Sequence, residues 1–125
     1  MPDLHPAMLG HLRAVTENAT RLRDVWAPDG VLEFPYATDD MTARIDGLDA
    51  LVSYFDGPRR WGSWRFSPGR TVVDKAQRLH VSEIHAEAEW VETGRPYVQD
   101  YVIWMQLDAE GRIVLWREYW DKSRV

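Results

Sequence analysis

Cysteine is absent from the 125 residues, which excludes disulfides, thiol nucleophiles and every thiolate metal site. No apolar run approaches the roughly 20 residues of a membrane span. The opening Met1-Pro2-Asp3-Leu4-His5-Pro6 lacks the basic start and apolar stretch of a signal peptide. A cytoplasmic protein with no membrane partner is therefore expected. Basic residues are in the minority, 15 against 20 acidic for a net charge of −5, and a nucleic-acid partner calls for a basic footprint. Repeats, linkers and low-complexity segments are lacking too, so residues 1–125 are expected to form a single domain.

The common catalytic signatures are also missing. There is no HExxH, calcium loop, P-loop, GxGxxG or nucleophile elbow. His80 and His85 differ by an odd number and point to opposite faces of a strand. His5 and His11, six apart, fall on different sides of a helix. Neither a metal nor a cofactor is expected.

What the chain does have is tryptophan, seven in all, with 45% apolar and 28% charged residues. That composition is globular. Such flat rings suit a core, a dimer interface or an apolar ligand pocket.

Met8, Leu12, Val15, Ala19, Leu22 and Trp26 step by four or three, one apolar stripe on a helix that Pro28 ends. Asp29-Gly30 turns into a short strand, Val31–Tyr36, whose Pro35 suggests an edge or a bulge. A second helix is expected with Asp46 as N-cap, the stripe Leu48, Leu51, Val52 and Phe55, and a stop at Gly57-Pro58. From Arg70 the period becomes two: a short strand Thr71–Val73, a long one Val81–Val91, then Tyr97–Leu107 and Ile113–Trp120, joined by turns at Thr93–Pro96 and Asp108–Gly111. Helices followed by an antiparallel meander give an α+β fold, and a sheet wrapped around helices leaves a cone.

Parity decides what lines that cone. A left-handed Gly111 would make a bulge in the last hairpin, so that odd residues of one strand share a face with even residues of the next. Tyr101, Ile103 and Met105 would then lie beside Val114, Trp116, Glu118 and Trp120, placing one carboxylate among aromatic and apolar side chains.

These segments resemble the SnoaL-like branch of the NTF2-like superfamily. The likeness rests on Gly94-Arg95-Pro96-Tyr97, Tyr101, Gly111-Arg112-Ile113-Val114 and Arg117-Glu118-Tyr119-Trp120-Asp121. Asp29–Tyr36 and Ile45-Asp46-Gly47 add to it. The resemblance implies a curved sheet with helices closing a conical, mostly apolar pocket, a homodimer, and acid–base chemistry without cofactor. Relatives of this kind include polyketide cyclases, ketosteroid isomerases, limonene-type epoxide hydrolases and phenazine-biosynthesis proteins. Glu118 matches a carboxylate that acts in the pocket of the epoxide hydrolases. Their Arg-x-Asp pair on the preceding long strand is replaced by Glu87 and Glu89, with no arginine. The isomerase aspartate before a proline is replaced by Phe34, before Pro35.

An aromatic wall would raise the pKa of Glu118 toward neutrality and fit it for proton transfer; the alternative is a solvated glutamate paired with Arg117 or Arg112. Tyr101 offers a hydroxyl within reach of it. His85 shares a strand face with Glu83, Glu87 and Glu89. Facing the cone, His85 and Glu89 would supply a second acid–base group, with Ile84, Ala86, Ala88 and Trp90 left to a dimer interface on the outer sheet face. Facing out, His85 is an ordinary solvated residue. Trp104, Trp90 and Tyr119 are expected on the outer face as well.

Residues 59–78 carry six cations against one anion, a net +5, interleaved with Trp61, Trp64 and Phe66. The readings are a mobile lid that brings cations and aromatic faces to an anionic or planar substrate, and a solvated loop packed over the pocket mouth. Single-stranded nucleic-acid binding by stacking and charge is a third, which the net negative charge disfavours. The expected function is that of a cofactor-independent isomerase or cyclase acting on a small, largely apolar, cyclic or polyketide-like metabolite. Trp116, Trp120, Ile103, Met105, Phe34, Tyr54, Trp61 and Trp64 would hold it. The alternatives are a small-molecule-binding dimer without turnover, and an epoxide-opening hydrolase or cyclase with a non-standard acid set.

Overall fold

The structure, a computed structural model, describes residues 4–124. Helix α1 (Pro6–Glu17) starts on His5, whose Nδ1 accepts the Ala7 N–H at 3.0 Å, and Pro6 stands in the first turn, where an N–H is not needed. The helix does not run on to Trp26. Asn18 is extended, its Oδ1 accepts the Thr20 N–H at 3.2 Å, and this local bond competes with another helical turn. A 3₁₀ helix (Ala19–Asp24) follows and strand β1 (Trp26–Glu33) begins at Trp26. Leu22 and Trp26 are fully buried nonetheless, so the apolar stripe survives across two elements of different pitch, and Pro28 lies inside the strand.

Strand β1 starts earlier than Val31 and ends before Pro35. It is not an edge strand either, since β2 (Arg44–Asp46) lies outside it. Asp46 belongs to β2 and binds Arg44 Nε at 3.0 Å; the N-cap of α2 (Leu48–Phe55) is Gly47, at φ 92°, where a side chain would be strained.

The basic segment is a strand, not a lid or a loop. β3 (Trp61–Asp74) pairs with β4 (Leu79–Trp90), and it absorbs the separate strand expected at Thr71–Val73. β5 (Pro96–Leu107) and β6 (Ile113–Trp120) complete one six-stranded sheet in the order β2-β1-β6-β5-β4-β3. All pairs are antiparallel except β1 with β6. The α+β architecture is the NTF2-like one expected, a curved sheet with its helices packed on one face.

Two bulges set what that face carries. Gly111 is left-handed at φ 82°, and the β5–β6 register shifts at Gln106/Leu107. Tyr101 then opposes Trp120, Ile103 opposes Glu118 and Met105 opposes Trp116, the parity expected from sequence. On β3 the register shifts between Gly62 and Arg65, at Ser63 with φ 55°. An odd step would send Trp61 and Trp64 to opposite faces; the extra residue brings both, with Phe66, to the inner one.

Gly30 sits at the irregular part of the β1–β6 pairing. A Cβ there would stand 2.5 Å from Trp26 Cε3 and 2.9 Å from the Ile113 carbonyl oxygen. The backbone atom cannot rotate away, and the Trp26 ring is enclosed. Gly30→Ala is expected to cost about 3 kcal/mol of unfolding free energy, measured as a lower urea midpoint at unchanged slope.

Candidate active site

Between the inner sheet face, α1 and α2 lies a cavity of about 510 Å³. Glu118 reaches it from β6. Its partner is local: Trp116, two residues back on the same face, donates its indole N–H to Glu118 Oε1 at 3.1 Å. No cation neutralises the carboxylate among the described residues. Arg117 points the other way and holds Glu33 at 3.1 Å, while Arg112 donates to the Arg23 and Trp26 carbonyls. Glu118 touches the cavity yet is surrounded by protein, and this burial pushes its pKa up from 4.5 to about 7, against the opposing pull of the Trp116 N–H. At neutral pH such a carboxyl is divided between its protonated and ionised forms.

Tyr101 lines the same cavity. Burial, with the Glu118 charge adding to it, holds its phenol firmly protonated. Tyr97 is fixed by Gln99, whose buried amide donates to the Tyr97 hydroxyl at 3.1 Å and to the Asp121 carbonyl at 2.9 Å. The Gln99 carbonyl oxygen accepts the Asp121 N–H at 2.9 Å. One side chain thereby locks the end of β6 to Tyr97.

The walls are aromatic. Trp61 stacks on Tyr97 at 4.8 Å between ring centres and Trp64 stacks on Phe66 at 5.5 Å, while Phe34, Tyr54 and Phe55 close the opposite side. Trp61 Nε1 is enclosed without a partner. His11 enters from α1: its ring stacks on Trp116 at 3.9 Å and its Nδ1 accepts the Trp26 indole N–H at 2.9 Å. Burial drives its pKa down to about 3, so the imidazole is neutral.

The SnoaL-like domain pattern matches residues 11–116, most of the chain. The chain belongs to the SnoaL-like family. A Bacillus subtilis relative, the uncharacterised protein YesE, is 30% identical over 99 residues, covering 78% of this chain and 67% of its own length. A crystal structure from the same species, provisionally described as an isomerase, is 27% identical at a TM-score of 0.74, covering 95% of this chain and 89% of that one. An epoxide hydrolase of the limonene type from Mycobacterium tuberculosis is 20% identical at a TM-score of 0.69, covering 94% and 82%; that likeness is one of fold. The family's ketosteroid isomerase-like fold thus comes with isomerase and epoxide hydrolase neighbours.

In this SnoaL-like chain the expected residues divide into three groups. Glu118, Tyr101, Trp120, Phe34, Tyr54, Trp61 and Trp64 meet at the cavity. Trp116, Ile103 and Met105 are fully buried beneath it, and of these Trp116 serves the site through its N–H. His85 and Glu89 are elsewhere. Ser82, Ile84, Ala86 and Ala88 are buried and face inward, so the alternation of β4 turns His85, Glu87 and Glu89 to the outer face. The inward register, and with it the second acid–base group, is corrected. His85 binds Asp100 at 2.8 Å and Glu87 at 3.3 Å, and these contacts raise its pKa at the surface. Glu89 pairs with Arg65 at 3.4 Å.

Four of the residues expected on an outer dimer face, Ile84, Ala86, Ala88 and Trp90, are corrected in the same way. Ile84, Ala86 and Ala88 belong to the interior, and Trp90 packs on Trp61 and Tyr97. Trp104 is 38% exposed. Among the described residues no cluster of three metal-ligating side chains forms, and no helix is long and apolar enough to cross a membrane.

His11, Tyr97 and Gln99 were not among the expected site residues. The sequence carried a signal for each. His11 lies three after Met8 and four before Val15, a polar residue on the apolar face of α1. Tyr97 and Gln99 share the odd parity of Tyr101 on β5.

Proposed function

We propose that this chain is a cofactor-independent acid–base enzyme, of isomerase or cyclase type, acting on a small, largely apolar cyclic or polyketide-like metabolite. The observation that carries this reading is Glu118: a carboxylate without a cation, held by an indole N–H at 3.1 Å in an aromatic cavity, with a pKa of about 7. Such a group is matched to moving protons at neutral pH.

The chemistry follows from the placement. The Glu118 carboxylate removes a proton from a carbon next to a carbonyl, the C–H electron pair becomes the C=C of an enolate, and the carbonyl π pair moves onto oxygen. Glu118, now protonated, returns its proton at the same carbon or a conjugated one, and the carbonyl re-forms. In a cyclase the enolate carbon attacks an electrophile within the substrate instead. Tyr101, held in its protonated form by burial, is a neutral donor to a ligand oxygen. Epoxide opening has weaker support, since Glu87 and Glu89 face outward and Asp40 is the other carboxylate at the cavity.

The test uses 1-indanone, a flat ketone with exchangeable protons beside its carbonyl. In D₂O the protein should catalyse deuterium uptake at that carbon, at a rate that rises with pH through about 7 as Glu118 ionises. Glu118→Gln should lose about 10²–10⁴-fold. Binding of 1-indanone without any exchange would leave a ligand-binding protein and overturn the enzymatic reading.

A further inference from the structure

The His11–Trp26 pair is more constrained than a core contact requires. Trp26 Nε1–H is a donor only, so the His11 Nδ1 that receives it at 2.9 Å carries no proton, and the ring proton sits on Nε2. The face of the ring is stacked on Trp116 at 3.9 Å, and the N–H of that same indole holds Glu118. One tryptophan plate therefore positions both His11 and Glu118. The His11 residue is 1% exposed and lines the cavity with Glu118. Among the described residues no group accepts a hydrogen bond from Nε2, yet Trp61 Nε1, not His11, is the enclosed donor without a partner. A buried N–H is costly when unmade; one that opens on a cavity is satisfied by whatever oxygen fills it.

We propose that His11 is the carbonyl-oxygen receptor of the site, its neutral Nε2–H donating to a ketone oxygen of the ligand while Glu118 moves the proton on the adjacent carbon. The ligand class is a flat cyclic or aryl ketone, lying against the continuous aromatic wall that Trp61, Trp64, Phe66 and Tyr97 form. This rests on the reading of Glu118 given above. In the step itself the imidazole transfers no proton. Glu118 takes the α-proton, the electron pair shifts to the carbonyl oxygen, and that oxygen stays held by Nε2–H until the proton returns. An imidazole kept neutral polarises a carbonyl without protonating it.

Nitrogen-15 and proton NMR of the whole chain tests this with 1-indanone as the ligand. Free protein should show His11 with Nε2 protonated and Nδ1 bare at both pH 6 and pH 8. Saturating 1-indanone should move the Nε2–H proton downfield and lower the carbonyl stretch of the ketone. The single substitution His11→Phe strands the Trp26 N–H, so the paired substitution His11→Phe with Trp26→Phe is the informative variant. It should cut exchange at saturating ketone by about 10²–10³-fold, with the half-saturating concentration changed far less.

The proposal is overturned by an Nδ1–H tautomer, or by an Nε2–H that does not move when ketone binds. Wild-type exchange in the double variant, or failure of 1-indanone to bind, overturns it as well. If the Nε2–H shift appears without any deuterium exchange, the oxygen receptor stands and the proton-transfer role of Glu118 fails.

Discussion

Glu118→Gln is expected to make the protein more stable while it removes activity, and the gain should build as pH rises from 4.5 and be complete above about 7. The folded-state pKa of Glu118 is about 7 against an ordinary value of 4.5, raised by burial. A raised carboxyl favours the folded state below pH 4.5, and that contribution is lost as pH rises through 7. Above pH 7 the folded protein holds an ionised carboxylate that the unfolded chain would solvate freely. The difference of the two pKa values corresponds to a penalty on the order of 3 kcal/mol. Glutamine keeps an oxygen for the Trp116 N–H and never ionises. Urea unfolding at pH 8.5 should therefore show the variant about 2–3 kcal/mol more stable, and at pH 4.5 the two proteins should be nearly equal. For a domain whose total stability is about 5–15 kcal/mol, a gain of that size moves the urea midpoint visibly. A variant no more stable than wild type at pH 8.5 would mean that Glu118 is solvated, and the catalytic reading would fall with it.

This exchange of stability for chemistry explains why the surroundings of Glu118 are built as they are. An arginine in place of Ile103, directly opposite on β5, would relieve the penalty, and it would also fix the carboxylate in its ionised form. The chain places Arg117 on the other face, where it serves Glu33. The carboxylate is left with one neutral donor, which orients it without settling its protonation state.

How far the sequence disclosed this site depends on where its alternation is regular. Gly111 announced the bulge of the last hairpin, and from it the shared face of Tyr101, Ile103, Glu118 and Trp120 follows by counting. β4 was legible for the same reason: Ile84, Ala86 and Ala88 alternate strictly with His85, Glu87 and Glu89, and the apolar face is the buried one. Only the register borrowed from the epoxide hydrolases pointed the other way. β3 was not legible. The first of its two bulges falls on Ser63, a residue with no marked preference for φ 55°, and Trp61, Trp64 and Phe66 therefore follow neither a period of two nor one of 3.6. Its arginines and glycines read as loop, whereas pairing with β4 makes it a strand. The end of α1 was hidden by a coincidence of spacing, because Leu22 and Trp26 reach the core from a 3₁₀ turn and a strand at intervals a helix would also give. His11 was passed over because histidine was weighed as a metal ligand; its position on the apolar face of α1 was the better clue.

The same histidine supplies the largest acid effect expected of the fold. Its pKa of about 3 in the folded state, against 6.5 ordinarily, reflects burial of a ring that must stay neutral. A depressed histidine contributes stability above pH 6.5 that is lost as pH falls toward 3, at about 1.4 kcal/mol per pH unit between the two values. Glu118 acts with the opposite sign between 4.5 and 7, gaining stability as pH falls. The two windows overlap from 4.5 to 6.5, where one buried group refuses the proton and the other accepts it. The wild-type stability should therefore be nearly flat there, and each single variant should uncover the other group. Glu118→Gln should lose about 2–3 kcal/mol from pH 6.5 to 4.5, and His11→Gln should gain a similar amount over the same range. Glutamine at position 11 offers an oxygen to Trp26 and does not titrate. The other ionisable groups at the cavity, Asp40, Arg59, Arg60 and the tyrosines, remain in all four proteins, as do the exposed carboxylates of Asp74, Asp100 and Asp121, so differences between variants cancel them. The double variant should restore the flat profile at a different absolute stability. Parallel profiles for wild type and His11→Gln would show that position 11 takes up protons as readily folded as unfolded, and the neutral imidazole beside Glu118 would have to be abandoned.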